Sequence, residues 1–167
     1  MSSSPRKPPH IRRIVTGHDA SGKAIVWIDA PAARHNFPDE TIAATHLWVT
    51  DETPADFTSG EDAGERIRGT SPPPGGTAFA MVELQPGGQL PQLHRTDTLD
   101  YVVCVSGEVE MHLDDSTVTL RAGDVMVQRG TNHAWINRGT VPARLVFVLV
   151  DGKPKRSGSL AGAQNAR

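Results

Sequence analysis

The chain has 167 residues, 37% of them hydrophobic, with 16 glycines and 13 prolines. That length suits one domain with a real core, and the Gly/Pro content suits many turns and short strands better than long helices. Lys plus Arg number 17 against 19 Asp plus Glu, a net charge of −2, which removes the electrostatic case for nucleic acid and leaves a small molecule or a second copy of the chain as the expected partner.

Residues 1–10 (MSSSPRKPPH) are Ser-, Pro- and Lys-rich and are expected to form a loose, disordered tail. They carry basic residues without an apolar stretch, so no secretion signal is expected. No run in the chain approaches the ~18 to 20 apolar residues of a membrane span. A soluble cytoplasmic protein is the expectation.

IRRIV and KAIVWID flank GHDASG and read as a hairpin, and ATHLWVT (residues 44–50) is a third extended stretch. Between them, AARHNFPDETIAA carries at most a short turn. Residues 51–76 are acidic and Pro-rich, have no period and end in SPPPGG. They are expected to be a long loop over the mouth or side of the domain.

From Gly76 the pattern sharpens. GTAFAMVELQ reads as a strand stopped by Pro86-Gly87-Gly88. EVEMHLDD alternates, with Val109, Met111 and Leu113 on one face and Glu108, Glu110 and His112 on the other, so His112 is expected to face solvent. After the turn at Asp114-Asp115-Ser116, TVTLRAG places Val118 and Leu120 inward. DVMVQ, HAWIN and ARLVFVLV follow as further strands. LVFVLV and YVVCV are apolar on both parities, which predicts cover on both faces, by a sandwich partner and by a homodimer. Tyr101 is expected in the core or at that interface. The single cysteine, Cys104, lies among valines and reads as a small buried hydrophobe. Residues 153–167 are expected to be a second disordered tail. No helix period appears, and the regular strands and turns predict an all-β sandwich or barrel for residues 11–152.

Two stretches carry a family resemblance. Residues 88–107 resemble the first cupin motif: Gly88, His94 and Gly107 match its first glycine, first histidine and last glycine, while Thr96 stands at its second histidine and Asp100 at its glutamate. Residues 123–137, GDVMVQRGTNHAWIN, resemble the second motif, with His133 and Asn137 in register and Gln128 where proline is usual. The resemblance implies a cupin jelly-roll β-barrel, usually dimeric, with a pocket at the barrel mouth. In metal-bearing members the motif histidines and the glutamate surround one divalent ion. Carried over residue by residue, His94, Asp100 and His133 are the implied ligands, with Fe, Mn, Zn or Ni as the ion. Thr96, Gln128, Trp135 and Asn137 are the implied pocket residues. A threonine hydroxyl is a weak ligand, and aspartate is one methylene shorter than glutamate.

Strand parity adds an independent point. Unbroken strand would put His94, Thr96 and Asp100 on one face; a turn near Thr98 is needed to carry Asp100 over His94 on a neighbouring strand. Two imidazoles and a carboxylate are the set that non-haem Fe(II) sites use. Three functions follow. The first is a metal-dependent, dioxygenase-like oxidoreductase acting on a small organic substrate of aromatic or polyketide-derived type, because QRGTNHAWIN also resembles small cupins of aromatic polyketide tailoring. The second is a metal-free isomerase or dehydratase with His94 or His133 as the catalytic base. The third is a non-catalytic small-molecule-binding module.

Overall fold

The computed structural model describes residues 7–69 and 71–154. The predicted tails fall almost wholly outside these residues. Among the described residues twelve strands run from Arg12 to Asp151, and one 3-10 turn spans Ala63–Glu65. Among the described residues no helix is long and apolar enough to cross a membrane.

The strands are β1 (Arg12–His18), β2 (Ala24–Pro31), β3 (His35–Asp39), β4 (Ile42–Thr50), β5 (Thr77–Leu84), β6 (Gln89–His94), β7 (Thr98–Ser106), β8 (Glu108–His112), β9 (Thr117–Arg121), β10 (Val125–Arg129), β11 (His133–Ile136) and β12 (Ala143–Asp151). They form a six-stranded sheet in the order β10-β7-β12-β5-β4-β3, a four-stranded sheet in the order β6-β11-β8-β9, and the β1–β2 hairpin. Every pairing is antiparallel. The stretch read as a short turn supplies β3 and the start of β4. Its turn is confined to Glu40-Thr41, where the Asp39 carboxylate accepts from the Thr41 and Ile42 amides.

Alternation decides which side chains meet between the two sheets. Val102 and Cys104 of β7, Leu145, Phe147 and Leu149 of β12, and Val82 and Leu84 of β5 face Val109 and Met111 of β8, Leu120 of β9 and Trp135 of β11. Trp135 is 1% exposed and meets Phe147 edge-on with ring centroids 5.7 Å apart. Cys104 is buried, as its apolar neighbours predict, and burial pushes its thiol pKa up. Gly107 joins β7 to β8 at φ +72°, and a Cβ there would stand 2.6 Å from the Pro142 carbonyl oxygen. Only glycine allows that turn to lie against the start of β12.

One burial expectation changes, and the outer face of the six-stranded sheet is only partly covered within the single chain. Leu120 is buried, but Val118, on the edge strand β9, is 45% exposed because no further strand covers it. β12 buries Leu145, Phe147 and Leu149 inward, while Val146, Val148 and Val150 are only half-buried on the outside. Tyr101 lies on that same outer face, 48% exposed, and not in the core of the chain.

The described parts of the expected loop, residues 51–69 and 71–76, flank the side of the domain. Arg13 of β1, itself buried, donates to the Asp62 carboxylate at 2.6 Å, and Trp27 of β2 meets Trp48 of β4 at 6.4 Å. Hairpin and loop thereby enclose a cleft of about 680 Å³ lined in part by Val15, Trp27, Trp48 and Phe57.

Candidate active site

The chain leaves one sheet and enters the other between His94 and Thr98. β6 ends at His94 in the four-stranded sheet, and β7 begins at Thr98 in the six-stranded sheet. This is the break that the parity argument required. It places His94 and Asp100 on different sheets, each beside a partner from the second motif. His133 is the register partner of His94, and Gln128 is the register partner of Asp100. The turn from Gln128 to His133 passes through Gly130 at φ +56°, where a Cβ would stand 3.3 Å from the Thr96 carbonyl oxygen. A glycine there lets the two motif stretches close on each other.

The four side chains form one cluster. The His94 and His133 rings lie 4.3 Å apart, centroid to centroid. Gln128 Nε2 donates to Asp100 Oδ2 at 2.8 Å and lies 3.4 Å from His133 Nε2. On the far side of the imidazole, His133 Nδ1 donates to the Thr131 carbonyl at 2.9 Å. A carbonyl only accepts, so Nδ1 carries the proton and Nε2 of the neutral ring presents its lone pair to the cluster. Trp135 packs edge-on beneath His133 at 6.4 Å and fixes the ring from the core side.

Burial sets the electrostatics. His133 is 5%, Asp100 3% and Gln128 2% exposed, whereas His94 is exposed at the rim. Burial lowers the His133 pKa, partly offset by its bond to Thr131, so the ring is neutral at pH 7. Burial raises the Asp100 pKa, opposed by the Thr98 hydroxyl and by His94. Two buried oxygens, Asp100 Oδ1 and Gln128 Oε1, have no hydrogen-bond partner among the described residues. Leaving such atoms unmade costs about 1–3 kcal/mol each. A cation or a hydrogen-bond donor bound here would satisfy both.

Two imidazoles and a carboxylate with an unpaired buried oxygen are donor types that a divalent ion takes. Among the described residues no three His, Cys, Asp or Glu side chains already stand in a coordination cluster. The fit therefore rests on the chemistry of the donors. Thr96 takes no part: its hydroxyl is engaged with Thr98 Oγ1 at 2.8 Å.

Asn137 does not line the site. It is 0% exposed; its Nδ2 donates to the carbonyls of Leu84 and Val141, both at 2.9 Å, and its Oδ1 accepts from the Gly139 amide. These bonds make it a brace for the backbone beyond β11. Trp135 belongs to the core and touches the site only through His133. His112 is bound to Glu110 at 2.9 Å on the polar face of β8, as alternation predicts. Sequence reasoning passed over Thr131 and Thr98. Thr131 acts through its backbone carbonyl, for which side-chain identity gives no signal.

Comparison with known proteins agrees with this architecture. Residues 80–149 match the profile of the cupin domain. The chain is 37% identical over 166 residues to phomopsin biosynthesis cluster protein C' of Diaporthe leptostromiformis, spanning 91% of this chain and 86% of that protein. It is 35% identical over 147 residues to the cupin-domain-containing oxidoreductase fogC of Aspergillus ruber, spanning 83% of this chain and 71% of that protein. The cupin domain of Schizosaccharomyces pombe Cnp3 superposes with a TM-score of 0.52 at 13% identity, covering 87% of this chain and 89% of that one, a likeness of fold alone. The jelly-roll expectation holds, and the chain belongs to the cupin-domain family.

Proposed function

We propose that the protein is a cupin oxidoreductase of small organic molecules, with one divalent ion held by His94, Asp100 and His133. The observation that carries this reading is the buried cluster itself. It holds the His133 lone pair beside Gln128 and Asp100, each of which has a buried oxygen without a partner, with the exposed His94 ring 4.3 Å from that of His133. The relatives support the reaction class: fogC is named an oxidoreductase, and phomopsin protein C' belongs by name to a biosynthesis cluster. An ion bound there would supply Lewis acidity or dioxygen activation. The chain's own residues do the rest. His133, fixed by Thr131, offers Nε2 either to the ion or to a substrate proton. Asp100, buried and shifted toward protonation, gains most from a cation or donor beside it. The test is to load the protein with Fe(II), Mn(II), Zn(II) or Ni(II) and follow dioxygen uptake with benzyl alcohol and catechol as aryl probes. Uptake that needs both metal and His133 supports the reading, and none with any ion counts against it.

One observation favours a second reading. The Gln128 amide nitrogen already bridges Asp100 and His133. That leaves a neutral imidazole base beside a carboxyl group shifted toward its acid form, the pair that a metal-free isomerase or dehydratase uses.

We also propose that a second copy covers the outer face of the six-stranded sheet. Val125, Val103, Val146 and Met81 form one ladder across β10, β7, β12 and β5, and Val127, Tyr101, Val148 and Phe79 form the next. Val125 is 76% and Val127 56% exposed in the single chain. A continuous apolar face of this kind marks an interaction surface. Light scattering should give twice the chain mass, falling to the monomer in Val127→Lys; a monomeric wild type overturns the assignment.

A further inference from the structure

We propose that Gln128 supplies the ligand that Thr96 does not: its side-chain carbonyl oxygen completes the coordination of an ion held by His94, Asp100 and His133. The inference rests on the metal reading above and adds to it a residue from outside the imidazole–carboxylate set.

Position comes first. Gln128 stands opposite Asp100 in the β7–β10 register and across the Gly130 turn from His133. Its amide nitrogen lies within reach of both, at 2.8 Å from Asp100 Oδ2 and 3.4 Å from His133 Nε2. Thr96, at the position of the missing histidine, is turned to the Thr98 hydroxyl instead.

The amide's chemistry comes second. Gln128 is 2% exposed, yet its Oε1 has no partner among the described residues, and neither has Asp100 Oδ1. A buried amide with its nitrogen satisfied and its oxygen idle is half used. The terminal torsion of glutamine is broad and roughly two-fold, so a half-turn exchanges nitrogen and oxygen, at the loss of the contacts with Asp100 and His133. With nitrogen inward, the amide donates to Asp100 and His133 and holds them together. With oxygen inward, three acceptors converge, an arrangement that repels itself unless a cation stands among them. Carbonyl oxygen suits divalent ions and accompanies imidazole without adding charge. Two of the positions where the chain departs from its motifs, Thr96 and Gln128, then compensate for one another.

Chelator-treated wild type, Gln128→Leu, Gln128→Glu and Thr96→Ala should be titrated with Co(II), reading affinity by calorimetry and coordination by the visible d–d spectrum. Gln128→Leu should weaken binding about 10–100-fold and change the spectrum. Gln128→Glu should bind more tightly than wild type and, without metal, melt at a lower temperature, because a second buried carboxylate then faces Asp100. Thr96→Ala should match wild type in both readouts. Wild-type affinity and an unchanged spectrum in Gln128→Leu, with Co(II) still bound, would overturn this inference while leaving the metal reading intact. Failure of the wild type to take up Co(II) would overturn both. If Gln128→Leu does not fold, Gln128→Glu decides alone: an affinity no higher than wild type places Gln128 outside the coordination sphere.

Discussion

The second motif stretch has two buried amide side chains, Gln128 and Asn137, and they are used in opposite ways. Asn137 has every polar atom bonded, to Leu84, Val141 and Gly139. Gln128 bonds through its nitrogen and leaves its oxygen without a partner, beside an Asp100 that is likewise half bonded. A fully bonded buried amide is explained by the fold it braces. A half-bonded one is not, since the idle acceptor lowers stability and calls for another role. The difference separates scaffold from site within a few residues of sequence.

The sharpest test of that contrast is Asn137→Ala. It leaves two buried carbonyls and an amide without their partner and should cost about 2–4 kcal/mol in urea unfolding, while metal affinity measured on the folded protein stays at the wild-type level. A loss of affinity with little change in stability would reverse the assignment. Trp135→Ala should destabilise by about 3–5 kcal/mol through the cavity left against Phe147, and should loosen His133 as well.

Asp100→Asn should move stability the other way. Burial raises the Asp100 pKa, so its contribution is full below the ordinary carboxylate range and is lost as pH rises through the elevated value. Replacing it with a neutral isostere should raise the urea midpoint at pH 7 and remove metal binding, a trade expected of a functional group and not of a structural one. An Asp100→Asn protein less stable than wild type would make the carboxylate structural.

The pH dependence of His133 has the opposite sign. Its pKa is below the ordinary 6.5, so the folded protein binds fewer protons than the unfolded chain as pH falls. Its contribution is present above pH 6.5 and is lost as pH drops through that value toward the lowered pKa. The urea midpoint of the wild type should therefore fall over this window, and that of His133→Ala should fall less. The smallest effect belongs to His112→Ala, which should leave both stability and metal affinity nearly unchanged, because the ring only meets Glu110 and Thr117 on the polar face of β8.

Much of this was legible in the sequence because alternation reports which face a side chain takes. Val109, Met111 and Leu120 went to the core and His112 to the polar face, and the motif stretches placed His94, Asp100 and His133 together. Parity does not report what covers a face, so Val118 was expected inside and lies exposed, and Tyr101, expected in the core or at an interface, lies on the open outer face. Nor does it report hydrogen-bond partners distant in the chain. Asn137 shares the parity of His133, but its fate is decided by the Leu84 carbonyl, 53 residues away. Gln128 was visible as a departure from the motif; its bridge between Asp100 and His133 emerged only once β7 and β10 were in register.

Whether the His94–Asp100–His133 cluster holds an ion is tested most directly by elemental analysis of protein expressed with Fe, Mn, Zn and Ni available, beside His133→Ala. Close to one ion per chain is expected in the wild type and almost none in His133→Ala. Substoichiometric metal in every wild-type preparation, or equal metal in both proteins, would contradict the metal reading.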